Sequence, residues 1–204
     1  IWVPLHSLKE VMNKEFFEAV FSDNDGYLAS WFRRPRDGKR QERFYLLKDM
    51  DKFVADCETA SSKGWDCYFV PAVMRAGTRR KHGFHHSNMV WADFDKVPEL
   101  PQFELQPSFI VESSQGKFHV YWNCNEVLTA LQVEMANKGI AMKYGADMSG
   151  WDCTQLLRVP GTLNYKYDPP QKVEIIEQRM ISHPLKSFPF PWGNPIPGYQ
   201  RFVW

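Results

Sequence analysis

Two aspartates, Asp93 and Asp95, close the apolar run Val90-Trp91-Ala92-Asp93-Phe94-Asp95. In a strand, side chains at i and i+2 point the same way, with Cα atoms roughly 6.5–7 Å apart. Carboxylates at that spacing can hold one or two divalent cations. Ala92 and Phe94 then face the opposite side, into a core. Two like charges buried side by side are costly, which makes a metal their natural counter-ion. The same spacing also serves a solvated turn or a helix cap, so other residues must decide.

A second segment, Gly116-Lys117-Phe118-His119-Val120-Tyr121-Trp122, alternates cleanly. Phe118, Val120 and Trp122 share the apolar face, and Lys117, His119 and Tyr121 share the other. A small-residue turn, Ser113-Ser114-Gln115-Gly116, precedes it. Turn amides and hydroxyls donate to phosphate oxygens while Lys and His neutralise them, so this unit suits a phosphate chain. A third stretch, residues 145–166, offers Asp147 or Asp152 as a further carboxylate and Arg158 and Lys166 as cations. Three carboxylates with Lys, His and Arg make up the inventory of a two-metal nucleotidyl-transfer site. That chemistry needs in-line positioning and charge neutralisation but no covalent nucleophile.

The positioning elements follow from periodicity. Leu8 to Phe21 has helical spacing, with Val11, Met12, Phe16, Val20 and Phe21 on one broad face, and Asp23-Asn24-Asp25-Gly26 ends it. Residues 26–32 and 42–47 read as strands around a basic loop, and Asp49 or Asp51 caps a helix to Ser62. Cys67–Met74 reads as a strand, with Pro71 marking an edge or an end. A basic loop over 75–88 leads into the Asp93 strand. Strands follow at 108–112, 117–122 and 172–176, with a helix from Glu126 to about Lys143. Small mixed sheet plus helices gives an α+β architecture, with 87–180 as one module beside an α/β module over 1–86. Residues 181–204, rich in Pro and aromatics, read as an extended arm or linker.

Composition fits a folded chain, at 44% hydrophobic and 15% aromatic over 204 residues. No run has the ~18–20 apolar residues of a membrane span, which leads to the expectation of a cytoplasmic protein. The four cysteines lack C-x-x-C spacing, which argues for free thiols and against a zinc ribbon. The net charge of +1 conceals two basic stretches. Residues 33–44 carry six Lys/Arg against two acids, and residues 75–82 carry four against none. Two such clusters on an otherwise acidic chain point to a polyanionic partner.

The order of these motifs resembles the archaeo-eukaryotic primase superfamily, in the style of primase–polymerase modules of phage and plasmid replication proteins. The residues that carry it are Asp93-Phe94-Asp95, then Ser113-Ser114-Gln115-Gly116-Lys117-Phe118-His119, then Asp147 with Leu156–Lys166. The resemblance implies a catalytic sheet like that of an RNA-recognition motif, packed against an N-terminal α/β module. It implies Asp93, Asp95 and Asp147 as ligands of two Mg²⁺ or Mn²⁺ ions, and no zinc. His119, with Ser113, Gln115 and Lys117, would hold the triphosphate of an incoming NTP or dNTP. Asn164 and Lys166 would form a second nucleotide-binding pair, and Arg158 would support the site. Relatives often carry a Gly-Arg variant in the second motif, and many have His where Asn164 stands. Arg33, Arg34, Arg79, Arg80 and Lys81 would then contact a single-stranded DNA template, with Trp31 or Phe32 available for stacking. A helicase or helical priming domain would follow this chain, and a phage or plasmid protein would work in the host cytosol.

Two other readings use parts of the same inventory. A non-catalytic single-strand-binding module would need exposed aromatics and no carboxylate triad. A metal-dependent nuclease of a replication initiator would need paired histidines at H-x-H spacing, which His85-His86 lacks.

Overall fold

The computed structural model describes residues 14–21, 25–75, 77–95 and 97–191. Residues 14–20 are helical (α1). Then come β1 (Tyr27–Arg33), β2 (Arg40–Leu46), α2 (Met50–Ser62), β3 (Asp66–Met74), β4 (Phe84–Phe94), β5 (Phe109–Ser114), β6 (Lys117–Leu128) and α3 (Ala130–Tyr144). Four short strands finish the chain: β7 (Leu157–Arg158), β8 (Leu163–Asn164), β9 (Gln171–Lys172) and β10 (Glu174–Gln178). One eight-stranded sheet runs β10-β5-β6-β4-β3-β1-β2, with β7 beside β3 and β8–β9 as a separate hairpin. Every ladder between these strands is antiparallel.

The sheet has two halves joined through β4. Its first residues pair with β3 (Val73↔His86, Met74↔Phe84), and the rest pair with β6 (Val90↔Trp122 through Phe94↔Phe118). Residues 86 and 87 therefore both lie within β4. Helix α1 covers the junction. The Phe16 ring packs edge-on against Phe69 of β3, Phe109 of β5 and Tyr121 of β6, at 5.2–5.9 Å between centroids. Phe16, Val20 and Phe21 are buried, as the helical spacing predicts, and so is Phe17, which that face did not include. Val11, Met12, Asp23 and Asn24 lie outside the described residues.

On the other side of β4 and β6, Phe103 joins Phe94, Trp122 and Tyr144 in a second aromatic cluster. Helix α3 lies along β4, where the Asn137 side-chain oxygen Oδ1 accepts from the Trp91 backbone N–H at 2.8 Å. A capping box between Thr129 and Gln132 starts this helix, and Gly145 stops it at φ +75, a conformation that favours glycine.

Several sequence expectations need correction. The helix assigned from Glu126 begins at Ala130, because β6 continues to Leu128 and pairs there with Ser87. The loop assigned to 75–88 is shorter, since β4 starts at Phe84. Pro71 is neither at an edge nor at an end. It sits beside the β1 bulge and between the segments of β3 that pair with β7 and β4, where no ladder N–H is needed. The strand at 172–176 is two strands separated by Val173. The C-terminal arm is described as far as residue 191: it bridges Cys124 at His183 and buries Phe188. All four cysteines are buried free thiols.

Candidate active site

Asp93 and His119 are direct cross-strand partners on β4 and β6. The His119 Nε2 lies 3.8 Å from Asp93 Oδ1, and the Asp93 side chain is 17% exposed. Two residues along each strand, Lys117 Nζ lies 3.4 Å from Asp95 Oδ1. The alternation read from the sequence therefore puts two carboxylates opposite an imidazole and an ammonium. The third carboxylate arrives by a backbone contact: the Asp147 N–H donates to the Asp93 carbonyl at 2.7 Å. The Trp91 N–H and the Asp93 carbonyl of β4 are directed away from β6. That free edge docks both α3 and the Asp147 loop.

Electrostatics sets Asp93 apart. Burial, then the Asp95 and Asp147 charges, push its pKa up to about 7. His119 is held neutral, its pKa pushed down to about 3 by burial and by the Arg158 guanidinium. Asp93 Oδ1, His119 Nδ1, Tyr121 Oη and Trp91 Nε1 are all buried without a hydrogen-bond partner. An orphaned carboxylate oxygen beside two further carboxylates fits a divalent cation. The three aspartates do not form the tightest cluster. Among the described residues, Glu134, Asp152 and Cys153 alone bring three ligand atoms within 4.8 Å of one another. There Lys81 already pairs with Glu134, and Asp152 caps Thr154 at 2.6 Å.

The turn 113–117 is clasped by the β8–β9 hairpin. Asn164 Nδ2 donates to the Ser113 carbonyl at 2.9 Å, and the Gln115 N–H donates to Gln171 Oε1 at 2.8 Å. Asn164 is buried, and its side-chain oxygen accepts from the Lys166 N–H at 3.1 Å. The Ser113 hydroxyl is likewise turned inward, to the Lys117 carbonyl. Gln115 and Lys166 are exposed. Sequence reasoning missed Tyr167, whose hydroxyl accepts from Ser114 Oγ at 3.4 Å and also meets Lys117. Its position directly after Lys166 was the available signal. Arg158 forms a buried pair with Asp66 at 2.8 Å, and Asp66 also accepts from the Tyr165 N–H.

The basic residues divide into two groups. Arg34 pairs with Asp37, Arg79 with Glu42 at 3.0 Å, and Lys81 with Glu134. Arg33 and Arg80 have no ion pair among the described residues, nor do Arg36 and Arg40. Arg79 also donates to the Thr154 carbonyl at 3.2 Å, tying both basic stretches to the loop that carries Asp147. Phe32 is a core residue, whereas Trp31 is half-buried.

Known structures share this architecture. The primase–polymerase AEP domain of cyanophage S-2L is 12% identical, with a TM-score of 0.67 over 87% of this chain and 95% of that one. Primase RepB' is 16% identical, with a TM-score of 0.64 over 83% of this chain, which spans 56% of that chain. The catalytic domain of primase RepB', solved in complex with initiator DNA, is 16% identical, with a TM-score of 0.64 over 85% and 87%. No curated protein matches the chain. The fold is that of the archaeo-eukaryotic primases, an α+β arrangement around a large antiparallel sheet. Within it, residues 85–180 match the family described as the RepB DNA-primase N-terminal domain. These likenesses support a role as a replication primase. No helix among the described residues is long and apolar enough to cross a membrane.

Proposed function

We propose that this chain is a primase–polymerase catalytic domain that transfers nucleotides from NTPs or dNTPs onto a single-stranded DNA template. The observation that carries this reading is Asp93: buried, partnerless at Oδ1, and crowded by Asp95 and Asp147 opposite His119 and Lys117. Such an arrangement is unfavourable for a structural carboxylate and favourable for a cation site. Asp93, Asp95 and Asp147 would hold one or two Mg²⁺ or Mn²⁺ ions, which supply charge neutralisation and a more acidic 3′-hydroxyl. Lys117, 3.4 Å from Asp95 Oδ1, would leave that carboxylate for a phosphate oxygen. His119, buried and neutral, would present Nε2 to the carboxylate side of the site, 3.8 Å from Asp93 Oδ1. Lys166 would add a second exposed cation, while the Gln115 and Gly116 amides are held by Gln171 and Glu112. Arg158 and Asn164 act by fixing β7 and the 113–117 turn.

Template binding is supported by the unpaired Arg33, Arg36, Arg40 and Arg80, and by the RepB' neighbour that holds initiator DNA. The two sheet halves, 1–86 and 87–180, would work as one catalytic unit. A helicase or helical priming domain C-terminal to it, in the host cytosol, completes the reading.

The test is nucleotide incorporation on primed and unprimed single-stranded DNA with Mg²⁺ or Mn²⁺, beside protein carrying Asp93→Ala and Asp95→Ala. Product from the intact protein alone supports the assignment, and product without primer adds priming. DNA binding without incorporation would reduce the chain to a binding module. Template cleavage lost in the double variant would make it a nuclease.

A further inference from the structure

A transverse row of side chains crosses four strands on the basic side of the molecule. Glu42 of β2 is the register partner of Trp31 on β1, Trp31 of Tyr68 on β3, and Tyr68 of Arg158 on β7. Both aromatic rings are half-buried and capped by guanidinium groups. Arg79 lies 5.6 Å from the Trp31 centroid, and Arg158 lies 4.7 Å from that of Tyr68. Beside them Arg34 sits 5.0 Å over Trp65. The row ends at the active site, since Arg158 acts electrostatically on both His119 and Asp93. At its other end are the unpaired Arg33, Arg36 and Arg40 of the β1–β2 hairpin.

By strand alternation Trp31 and Tyr68 lie on the face opposite the core residues Phe32 and Phe69, so the two rings form a row outside the core. Arginine-capped aromatic rings beside uncompensated cations suit a ligand with flat π-faces strung on an anionic backbone. We propose that Trp31 and Tyr68 form a stacking track for template bases, leading the single strand from the β1–β2 hairpin to the carboxylates. This rests on the template-binding reading above and adds a base-dependent, sequence-tolerant component to it. Phosphates pair with Arg33, Arg36, Arg40 and Arg80, and bases lie over the aromatic row.

The experiment measures anisotropy of a labelled oligo-dT strand and of an abasic strand of equal length, without nucleotide, across a salt series. Intact protein should bind oligo-dT about tenfold more tightly than the abasic strand. Trp31→Ala should remove that preference while leaving the salt slope unchanged, because phosphate contacts persist. Trp31→Phe should restore most of it, and Tyr68→Leu is the second, independent variant. Thermal melts accompany each variant. Undiminished preference for oligo-dT in folded Trp31→Ala and Tyr68→Leu overturns the track but leaves template binding standing. Lost affinity for free NTP with strand binding intact would assign the row to the incoming base and also overturn it. Failure of the intact protein to bind either strand would sink template binding itself.

Discussion

Asp147 is joined to Asp93 through the main chain, its N–H donating to the Asp93 carbonyl at 2.7 Å. The loop position therefore does not depend on the Asp147 carboxylate being charged. Asp147 Oδ1 also accepts from the Ser149 N–H at 2.8 Å, a bond that an amide oxygen preserves. We expect Asp147→Asn to melt within about 2 °C of the parent, while incorporation falls about a hundredfold or more. A large drop in melting temperature would instead make this carboxylate a structural element of its loop.

The Asp93 carboxyl has a sign that can be read in solution. Its folded pKa of about 7 lies above the ordinary 3.8, so the folded state holds this proton more tightly than the unfolded chain. The contribution is favourable below about pH 4, fades between about 4 and 7, and becomes a cost above that. At 1.36 kcal/mol per unit, Asp93→Asn should stabilise cation-free protein at pH 8 by as much as about 4 kcal/mol, and hardly at all at pH 4. Added Mn²⁺ should stabilise the parent at pH 8 and leave Asp93→Asn unmoved. Urea unfolding with EDTA or Mn²⁺ checks both statements, and equal stability of the two proteins at pH 8 would contradict the first.

Asp66 and Arg158 lie 92 residues apart and are both buried. Asp66→Ala leaves a guanidinium without its counter-ion and the Tyr165 N–H without its acceptor. The expected loss is about 3–5 kcal/mol. Asp66→Leu combined with Arg158→Leu should cost less than the two single changes added together, as a double-mutant cycle in urea would show.

Gly139 of α3 receives the C-terminal arm. A Cβ there would lie 1.8 Å from the Pro189 carbonyl oxygen and 3.0 Å from the Phe190 Cα, both backbone atoms with no easy retreat. Helix propensity alone would make Gly139→Ala stabilising by about 1 kcal/mol. We expect the reverse: the arm lifts, Phe188 loses its burial, and limited proteolysis cuts within residues 182–191 much faster than in the parent. Unchanged cleavage would mean that the arm reseats around the methyl group.

How much of this was legible depended on how local the determining contact is. The face shared by Asp93 and Asp95, and the one shared by Lys117 and His119, followed from alternation alone, since the period of a strand is fixed. The start of α3 was misplaced by four residues. Glu126 and Val127 look helical in isolation, but Leu128 is held in β6 by Ser87, about forty residues earlier. The Thr129-x-x-Gln132 capping box was the overlooked local signal. Arg79 and Lys81 read as free cations because Glu42 and Glu134 are distant in sequence. Asn164 read as a nucleotide contact, and its bond to the Ser113 carbonyl depends on a hairpin docking that no pattern reveals.

The strand that carries the carboxylates is also the seam of the sheet. β4 gives its first residues to β3 and the remainder to β6, and the backbone edge left over binds α3 and the Asp147 loop. Severing the chain between residues 86 and 87 would cut this seam rather than release two independent fragments. Each piece would keep its own ladder, Phe84 and His86 with β3 and Ser87 to Phe94 with β6, so what is lost is the continuity of the strand that holds the two halves in line. A break in the 77–80 loop would leave β4 whole and is the better site for splitting the chain.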